Sequence, residues 1–293
     1  MGGRGSHSRF AMNPSDGVMM APQPQEAPEI PDWKAAFDPD SDYESSGDVD
    51  HTNRVVSPML QRRWDAFAAA YQTGVTLADE DAMYKDYDWR ADELYGYFRT
   101  FNAMEINKAL IKNPDKAISD IFKDPDPNNP SERDWRKDIN TVNTLDRVVS
   151  AHQTQSDAYY LRYCTESSLK RAFGFSDAQM AQIHQIIQAR GADATQLKAL
   201  GATMADSTSF SRGYTSTSAN RSMNAFKYGK TRKGQPYSIE RRLYVPKGTN
   251  AYAPRKNAQE SEVLFGRNLH TRFLGMSYEK GHVVIHEMFD GYT

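Results

Sequence analysis

The sequence of 293 residues has one cysteine, Cys164. A single thiol cannot form an intramolecular disulfide, so the fold must stand on its core alone, which suits a cytosol or a chain that unfolds and refolds in transit. No run of about 18 apolar residues occurs, which argues against a membrane-spanning helix. The opening MGGRGSHSRF lacks the apolar stretch and the cleavage pattern of a secretory signal peptide, so a soluble protein is expected. A strong charge of one sign is missing too. With 36 Lys and Arg against 38 Asp and Glu the formal net charge is −2, and the whole chain makes no electrostatic case for nucleic acid. Metal-ligand clusters are also absent, since His282 and His286 do not converge on a strand, and no metal is expected.

What is present is unevenly distributed. Residues 1–53 hold three basic side chains (Arg4, Arg9, Lys34) against ten acidic ones and are rich in Pro, Gly, Ser and Asp. Such a stretch lacks the apolar residues that offset ordering entropy, and it reads as a disordered acidic tail. One domain is expected over 54–293, helical in 54–150 and strand-rich in 151–293. Leu60, Trp64, Phe67 and Tyr71 recur at helical spacing, as do Leu94, Tyr97 or Phe98, Phe101, Ile106 and Leu110. The run Asp-Pro-Asp-Pro-Asn-Asn-Pro at 124–130 is a loop, and helix resumes through Ile139 to Val149.

The period changes after that. AYYLRYC (158–164) reads as a strand. A helix follows near 175–191, with Ser176 and Gln179 at capping-box spacing and Gly191 as its stop. Strands are expected at Tyr237–Val245, Glu262–Phe265, Thr271–Met276 and His282–Phe289, separated by turn signals at 246–248, 266–268 and 279–281. The fold class is α+β: N-terminal helices packed on a mainly antiparallel β core, drawn as a meander.

Three polar clusters interrupt the strand-rich half. Arg162 sits among apolar residues and requires an anion, either a carboxylate of the body or a ligand phosphate that fits its planar fork. GYTSTS carries the hydroxyls of Ser216, Thr217 and Ser218, which either decorate a solvent-facing strand or orient a carboxylate. Glu260 and Glu262, two residues apart, share a face if the chain there is extended, with Val263 and Phe265 on the other; they are either solvated charges or a working pair. Between Arg212 and Lys256 eleven basic residues stand against one acidic residue, Glu240. That stretch is either a solvated basic face or a positive field for an anionic ligand and a nucleic-acid-associated target.

In this order the three clusters resemble the arginine, serine-threonine-serine, glutamate signature of the mono-ADP-ribosyltransferases related to the binary actin-modifying toxins and the arginine-specific ectoenzymes. YVPKGTNAYAP and QESEVLFGRNLHTRFLGM resemble the family's strand, turn, loop, E-x-E strand and following strand; EINKAL resembles its Ile-Asn-x-x-Leu helix. The resemblance spans about residues 90–293. It implies a two-sheet ADP-ribosyltransferase fold, NAD as co-substrate, and transfer of ADP-ribose to an arginine of a protein target with release of nicotinamide. It further implies that Arg162 holds the NAD phosphates, with Tyr163 standing where many relatives have Gly. Ser216, Thr217 and Ser218 would line the cofactor site, Ser216 positioning Glu262. Glu262 would bond the nicotinamide-side ribose, Glu260 would serve arginine acceptors, residues 255–259 would meet the target, and Phe226 would stack on nicotinamide.

The chemistry suits these residue types. Cleaving the N-glycosidic bond of NAD develops an oxocarbenium ion, which a fixed carboxylate stabilises. A guanidinium is no nucleophile while protonated, so a second carboxylate must orient it and take its proton. Two other readings stand beside transfer: an NAD glycohydrolase, and a non-catalytic virion or effector module, toward which the MGGRG start and acidic tail give a phage-like compositional hint. A monomer acting in a host or target-cell cytoplasm, without membrane contact, is expected.

Overall fold

The computed structural model of the chain describes residues 29–37, 49–50, 55–56, 58–71, 106–113, 115–123, 135–189, 194–220, 239–255, 261–279 and 281–293. The predicted helical positions at 94–104 and the loop at 124–130 lie outside these residues. Strands β1 (Val49–Asp50) and β2 (Val55–Val56) form a small antiparallel pair. Helix α1 (Pro58–Ala69) begins with a proline, whose missing N–H has no partner to lose in a first turn, and buries Leu60, Trp64 and Ala68 on one face. Helix α2 (106–112) buries Ile106 and Leu110, α3 (Ile118–Ile121) is a single turn, and α4 (Trp135–Ala151) buries Val142, Leu145, Val148 and Val149. These side chains converge with Tyr214, Tyr252 and Leu264 of the sheet in one apolar cluster.

After strand β3 (Ala158–Cys164) come helices α5 (Glu166–Phe173), α6 (Asp177–Ala189) and α7 (Ala194–Ala202). The Thr165 hydroxyl caps α5 by accepting from the Ser168 N–H, and Gly174 ends it with φ 68°, a conformation glycine adopts without steric cost. The predicted capping box opens α6: the Gln179 N–H donates to Ser176 Oγ at 3.2 Å and the Ser176 N–H to Gln179 Oε1 at 2.8 Å. Its predicted stop, Gly191, lies outside the described residues. The remaining strands are β4 (Thr208–Ser211), β5 (Thr215–Ser218), β6 (Ile239–Val245), β7 (Ala251–Tyr252), β8 (Glu262–Phe265), β9 (Leu269–Glu279) and β10 (His282–Tyr292).

The strands run β4-β9-β10-β6-β3-β5-β8-β7 across one sheet. Every pairing is antiparallel except β10 with β6. The expected meander therefore holds only for the consecutive pairs β7–β8 and β9–β10; β10 then lies parallel to β6, a strand much earlier in the chain. The two-sheet core takes the form of two blocks, β4-β9-β10-β6-β3 and β5-β8-β7, joined by a single registered pair, Leu161 with Ser218.

A short strap bridges the seam between the blocks. The Ala36 N–H donates to the Tyr159 carbonyl at 3.1 Å, the Tyr159 N–H to the Lys34 carbonyl at 2.9 Å, and the Phe37 N–H to the Ala219 carbonyl at 2.9 Å. Residues 33–37 thus depart from the disorder expected of 1–53. Averaged composition conceals the reason: Trp33, Ala35 and Phe37 alternate as strand residues do, and each packs against the sheet's apolar clusters.

Both faces of the large block are covered, and alternation along β6 sends neighbouring basic residues to opposite sides. Arg241 shares a face with Ile239 and Leu243, and Arg242 shares the other with Glu240 and Tyr244. Buried Arg242 donates to Glu240 and, through both terminal nitrogens, to Glu279 at 2.9 and 2.7 Å. His286 lies beside this network, with Nδ1 3.0 Å from the Tyr244 hydroxyl and Nε2 2.9 Å from Ser277 Oγ. Burial, and then the charge of Arg242, pull His286 down from 6.5 to about 4, against the opposing pull of Glu279. In the unfolded chain His286 takes a proton near pH 6.5, whereas the folded chain refuses it until about pH 4. The stabilisation from neutral His286 is therefore complete above 6.5, lost as pH falls through that window, and level below it. Its size is of order 3 kcal/mol. Urea unfolding at pH 7.5 and pH 4.5 should show this loss, and His286→Gln should reduce the difference; an unchanged difference would count against the assignment.

Candidate active site

The S-T-S strand is held in place by helices from the first half of the chain. Asn107 on α2 accepts the Tyr214 N–H at 2.9 Å through its side-chain oxygen. A Cβ at Gly213 would lie 2.5 Å from that same oxygen, so a larger residue there would push the Asn107 side chain out of this hydrogen bond. The Tyr214 hydroxyl donates to Asp146 on α4 at 2.6 Å, and Arg267 grips both oxygens of Asp146 at 2.9 and 2.5 Å. Helices α2 and α4 thereby fix the start of β5 and the turn that follows β8.

From that frame β5 and β8 pair antiparallel, Ser218 opposite Glu262 and Ser216 opposite Leu264. Ser216 and Glu262 are diagonal neighbours on one face, and Ser216 Oγ donates to Glu262 Oε1 at 2.5 Å. Ser216 is exposed and Glu262 half-buried, while Val263 and Phe265 on the opposite face are fully buried. The other two hydroxyls serve the sheet: Thr217 donates to the Val263 carbonyl at 2.8 Å, and Ser218 to the Asn220 carbonyl at 3.1 Å.

Glu260 and Phe226 lie outside the described residues. The strand itself starts at Glu262, and Ser261 before it has φ 45°, in the left-handed region that a serine enters at some cost. The extended geometry expected to give Glu260 and Glu262 a shared face therefore does not continue back through Ser261. The reason is local: Ser261 is fully buried, and its carbonyl accepts the Ala219 N–H at 2.8 Å, which turns the chain into the strand.

Beyond the Leu161–Ser218 pair β3 and β5 part, and a cleft of about 480 Å³ lies at the opening. Arg162, Tyr163 and Cys164 line it from β3 and Thr215 and Thr217 from β5, with Arg171, Arg212, Arg241, Ser209, Ser211 and Glu287 around them. Ser216 and Glu262 do not line this cleft, because alternation turns them away from Thr215 and Thr217.

Arg162 stands directly opposite Arg241 in register. Arg241 holds both oxygens of buried Glu287, at 2.7 and 2.6 Å, and Thr271 donates to the same carboxylate at 2.7 Å. Burial draws the pKa of Arg241 down, but Glu287 more than offsets this and holds it above the usual arginine value. For Arg162 the balance runs the other way: burial, then the Arg241 charge, lower its pKa. Among the described residues no carboxylate forms an ion pair with Arg162. The adjacent Cys164 thiol is pushed up to about 11, mainly by burial, and is a poor thiolate at neutral pH.

Sequence reasoning missed Glu287 as a cleft residue and met Arg241 only as one of the eleven basic residues of 212–256. A signal for Glu287 was available, a carboxylate two residues after Ile285 on an otherwise apolar strand face. Of the eleven basic residues in 212–256, Arg241 and Arg242 are neutralised by buried carboxylates, and Arg212 lies over the Phe210 ring at 5.4 Å. Arg221, Lys227, Lys230, Arg232, Lys233 and Lys256 lie outside the described residues. Among the described residues no group of three or more His, Cys, Asp or Glu is placed to hold a metal ion, and no helix is long and apolar enough to cross a membrane.

The sequence profile of the ADP-ribosyltransferase exoenzyme family matches residues 85–286, more than half of the chain. The chain belongs to this family. The C3stau2 protein of S. aureus, solved with NAD, matches with a TM-score of 0.52 at 19% identity, over 80% of this chain and 96% of its own. The C3 exoenzyme of Clostridium limosum matches at 0.49 and 16% identity, over 80% and 94%. Plx2a, an ADP-ribosyltransferase toxin from Paenibacillus larvae, matches at 0.49 and 13%, over 79% and 96%. The first of these shows that the α+β architecture is the ADP-ribosyltransferase fold. No curated protein sequence matches the chain.

Within this exoenzyme fold Glu287 is, among the described residues, the sole carboxylate lining a cleft that four arginines also line. Glu287→Gln should lower stability by about 3 kcal/mol, because Arg241 would then be buried beside Arg162 without a counter-charge. A urea midpoint equal to that of the parent protein would show that the pair carries no such stabilisation.

Proposed function

We propose that the protein transfers ADP-ribose from NAD to an arginine side chain of a protein target and releases nicotinamide. Membership of the ADP-ribosyltransferase exoenzyme family supports NAD as substrate. The observation that carries the finer reading is the Ser216–Glu262 hydrogen bond, which leaves a carboxylate oriented at a half-exposed position on the β5–β8 pair, whose opposite face meets the arginine-lined cleft through β5. In this reading Arg162, with no carboxylate partner among the described residues, takes the pyrophosphate of NAD, and Tyr163 shapes that subsite. Thr217 and Ser218 keep β5 in place while Ser216 holds Glu262.

The bond from the ribose C1′ to the nicotinamide nitrogen breaks, and nicotinamide departs with the electron pair. Glu262 stays ionised and stabilises the positive charge that develops on the sugar. A guanidinium nitrogen of the target then forms the new bond to C1′, and its proton passes to Glu260. The segment 255–259 meets the target, and Phe226 stacks on nicotinamide. The two carboxylates have different tasks because the sugar requires a fixed charge and the acceptor requires a base. The catalytic unit spans residues 54–293 and acts as a monomer.

Incubation with labelled NAD tests this. Glu262→Ala should reduce both nicotinamide release and protein labelling by at least about a hundredfold. Glu260→Gln should abolish labelling of arginine and leave nicotinamide release; an equal fall in both would refute the division of roles. Free ADP-ribose with no labelled protein across a panel of lysates would identify a glycohydrolase, and no NAD binding by calorimetry a non-catalytic module.

A further inference from the structure

The family match begins at residue 85, yet α1, which precedes it, grips the chain on its way into β8, and the strap before α1 bonds Ala219 beside it. Buried Trp64 donates its indole N–H to the Pro254 carbonyl at 2.8 Å. Three residues earlier on the same helix face, the Gln61 amide donates to the Arg255 carbonyl at 3.2 Å and to Asp65 Oδ1 at 2.7 Å. Two successive main-chain carbonyls are thus taken by two side chains of α1. Packing fixes the ring but not the polar edge, and a buried indole N–H must find an acceptor.

On the far side of residues 256–260 the Ser261 carbonyl accepts the Ala219 N–H at 2.8 Å, and the Ala219 carbonyl accepts the Phe37 N–H at 2.9 Å. Phe37 in turn packs on Trp64 and Phe67, with ring centroids 5.5 and 5.2 Å apart. The strap and α1 therefore form one aromatic unit that bonds the chain directly at Pro254 and Arg255 and reaches Ser261 through Ala219. Tyr71 anchors this unit to the sheet through its hydroxyl, 2.6 Å from that of Tyr160.

We propose that Trp64 and Gln61 are positioning residues for the acceptor half of the reaction. By fixing the carbonyls of Pro254 and Arg255 they set where the chain departs toward Glu262, and so how the target arginine meets the sugar. Glu262 itself is oriented separately, by Ser216 and the β5 pairing. Cleavage of NAD therefore does not depend on α1, while transfer to an acceptor does. This inference rests on the transferase reading above.

The test measures two rates on the full chain: nicotinamide release from NAD without acceptor, and ADP-ribosylation of polyarginine. In Trp64→Phe, release should stay within about twofold of the parent protein while transfer falls about tenfold, the loss expected when one orienting hydrogen bond is removed. Gln61→Ala, at a half-buried position, should shift the ratio the same way by about threefold, and it serves if Trp64→Phe unfolds. Thermal melting of each variant shows whether it is folded. An active parent protein whose transfer-to-release ratio is unchanged by either folded variant, or whose two rates fall in parallel, overturns the positioning role. A parent protein that neither releases nicotinamide nor labels polyarginine overturns the transferase reading, and this inference with it.

Discussion

The structure depends on the point where β3 and β5 meet at one residue pair and then part. A fully zipped pair would give a continuous flat sheet, with Arg162 buried against Thr217 and no space for a ligand. A fully separated pair would leave two blocks of five and three strands with unpaired edges facing each other, an arrangement open to wrong pairing. The single junction opens the sheet at one end. At the other, the main chain of residues 34–37 covers the exposed edges by bonding to Tyr159 and Ala219. Cleft and strap are two consequences of one splayed seam.

Charge is divided by the same sheet. β6 carries two adjacent arginines, and the period of two sends one to each face, where separate carboxylates wait: Glu287 for Arg241, Glu240 and Glu279 for Arg242. The engaged arginines are structural charges. Arg162, opposite Arg241, has like charge beside it and no carboxylate ion-paired with it among the described residues; Glu287 favours its charge but burial and Arg241 outweigh it, so an anion entering the cleft would relieve that imbalance. A basic count along the sequence weighs all these residues equally, while the fold removes two of them from the field.

Much of this was readable from local pattern. Strand Glu262–Phe265, the Ser176–Gln179 box and the helical spacing of Leu60 and Trp64 each rest on neighbours a few residues away, and each was found where the pattern placed it. What escaped depends on distant partners. Arg241 and Glu287 lie 46 residues apart in sequence, and only the parallel pairing of β6 with β10 brings their strands side by side. Residues 33–37 were concealed because the composition around them is polar, although three apolar residues alternate within. The pairing of Ser216 with Glu262 fell between these cases: residue types and order suggested it, and the antiparallel register of β5 and β8 supplies the contact.

Ser261 has a wider consequence. Because its left-handed backbone resets the direction of the chain, the up-down parity of β8 begins at Glu262 and owes nothing to what comes before. In an uninterrupted strand, adding or deleting one residue upstream would flip Glu262 to the buried face and Val263 to the open one. Here the segment ending at 260 can gain or lose residues without inverting the strand that follows. The chain can therefore be re-tailored in length ahead of the strand while the Glu262 carboxylate keeps its orientation toward Ser216.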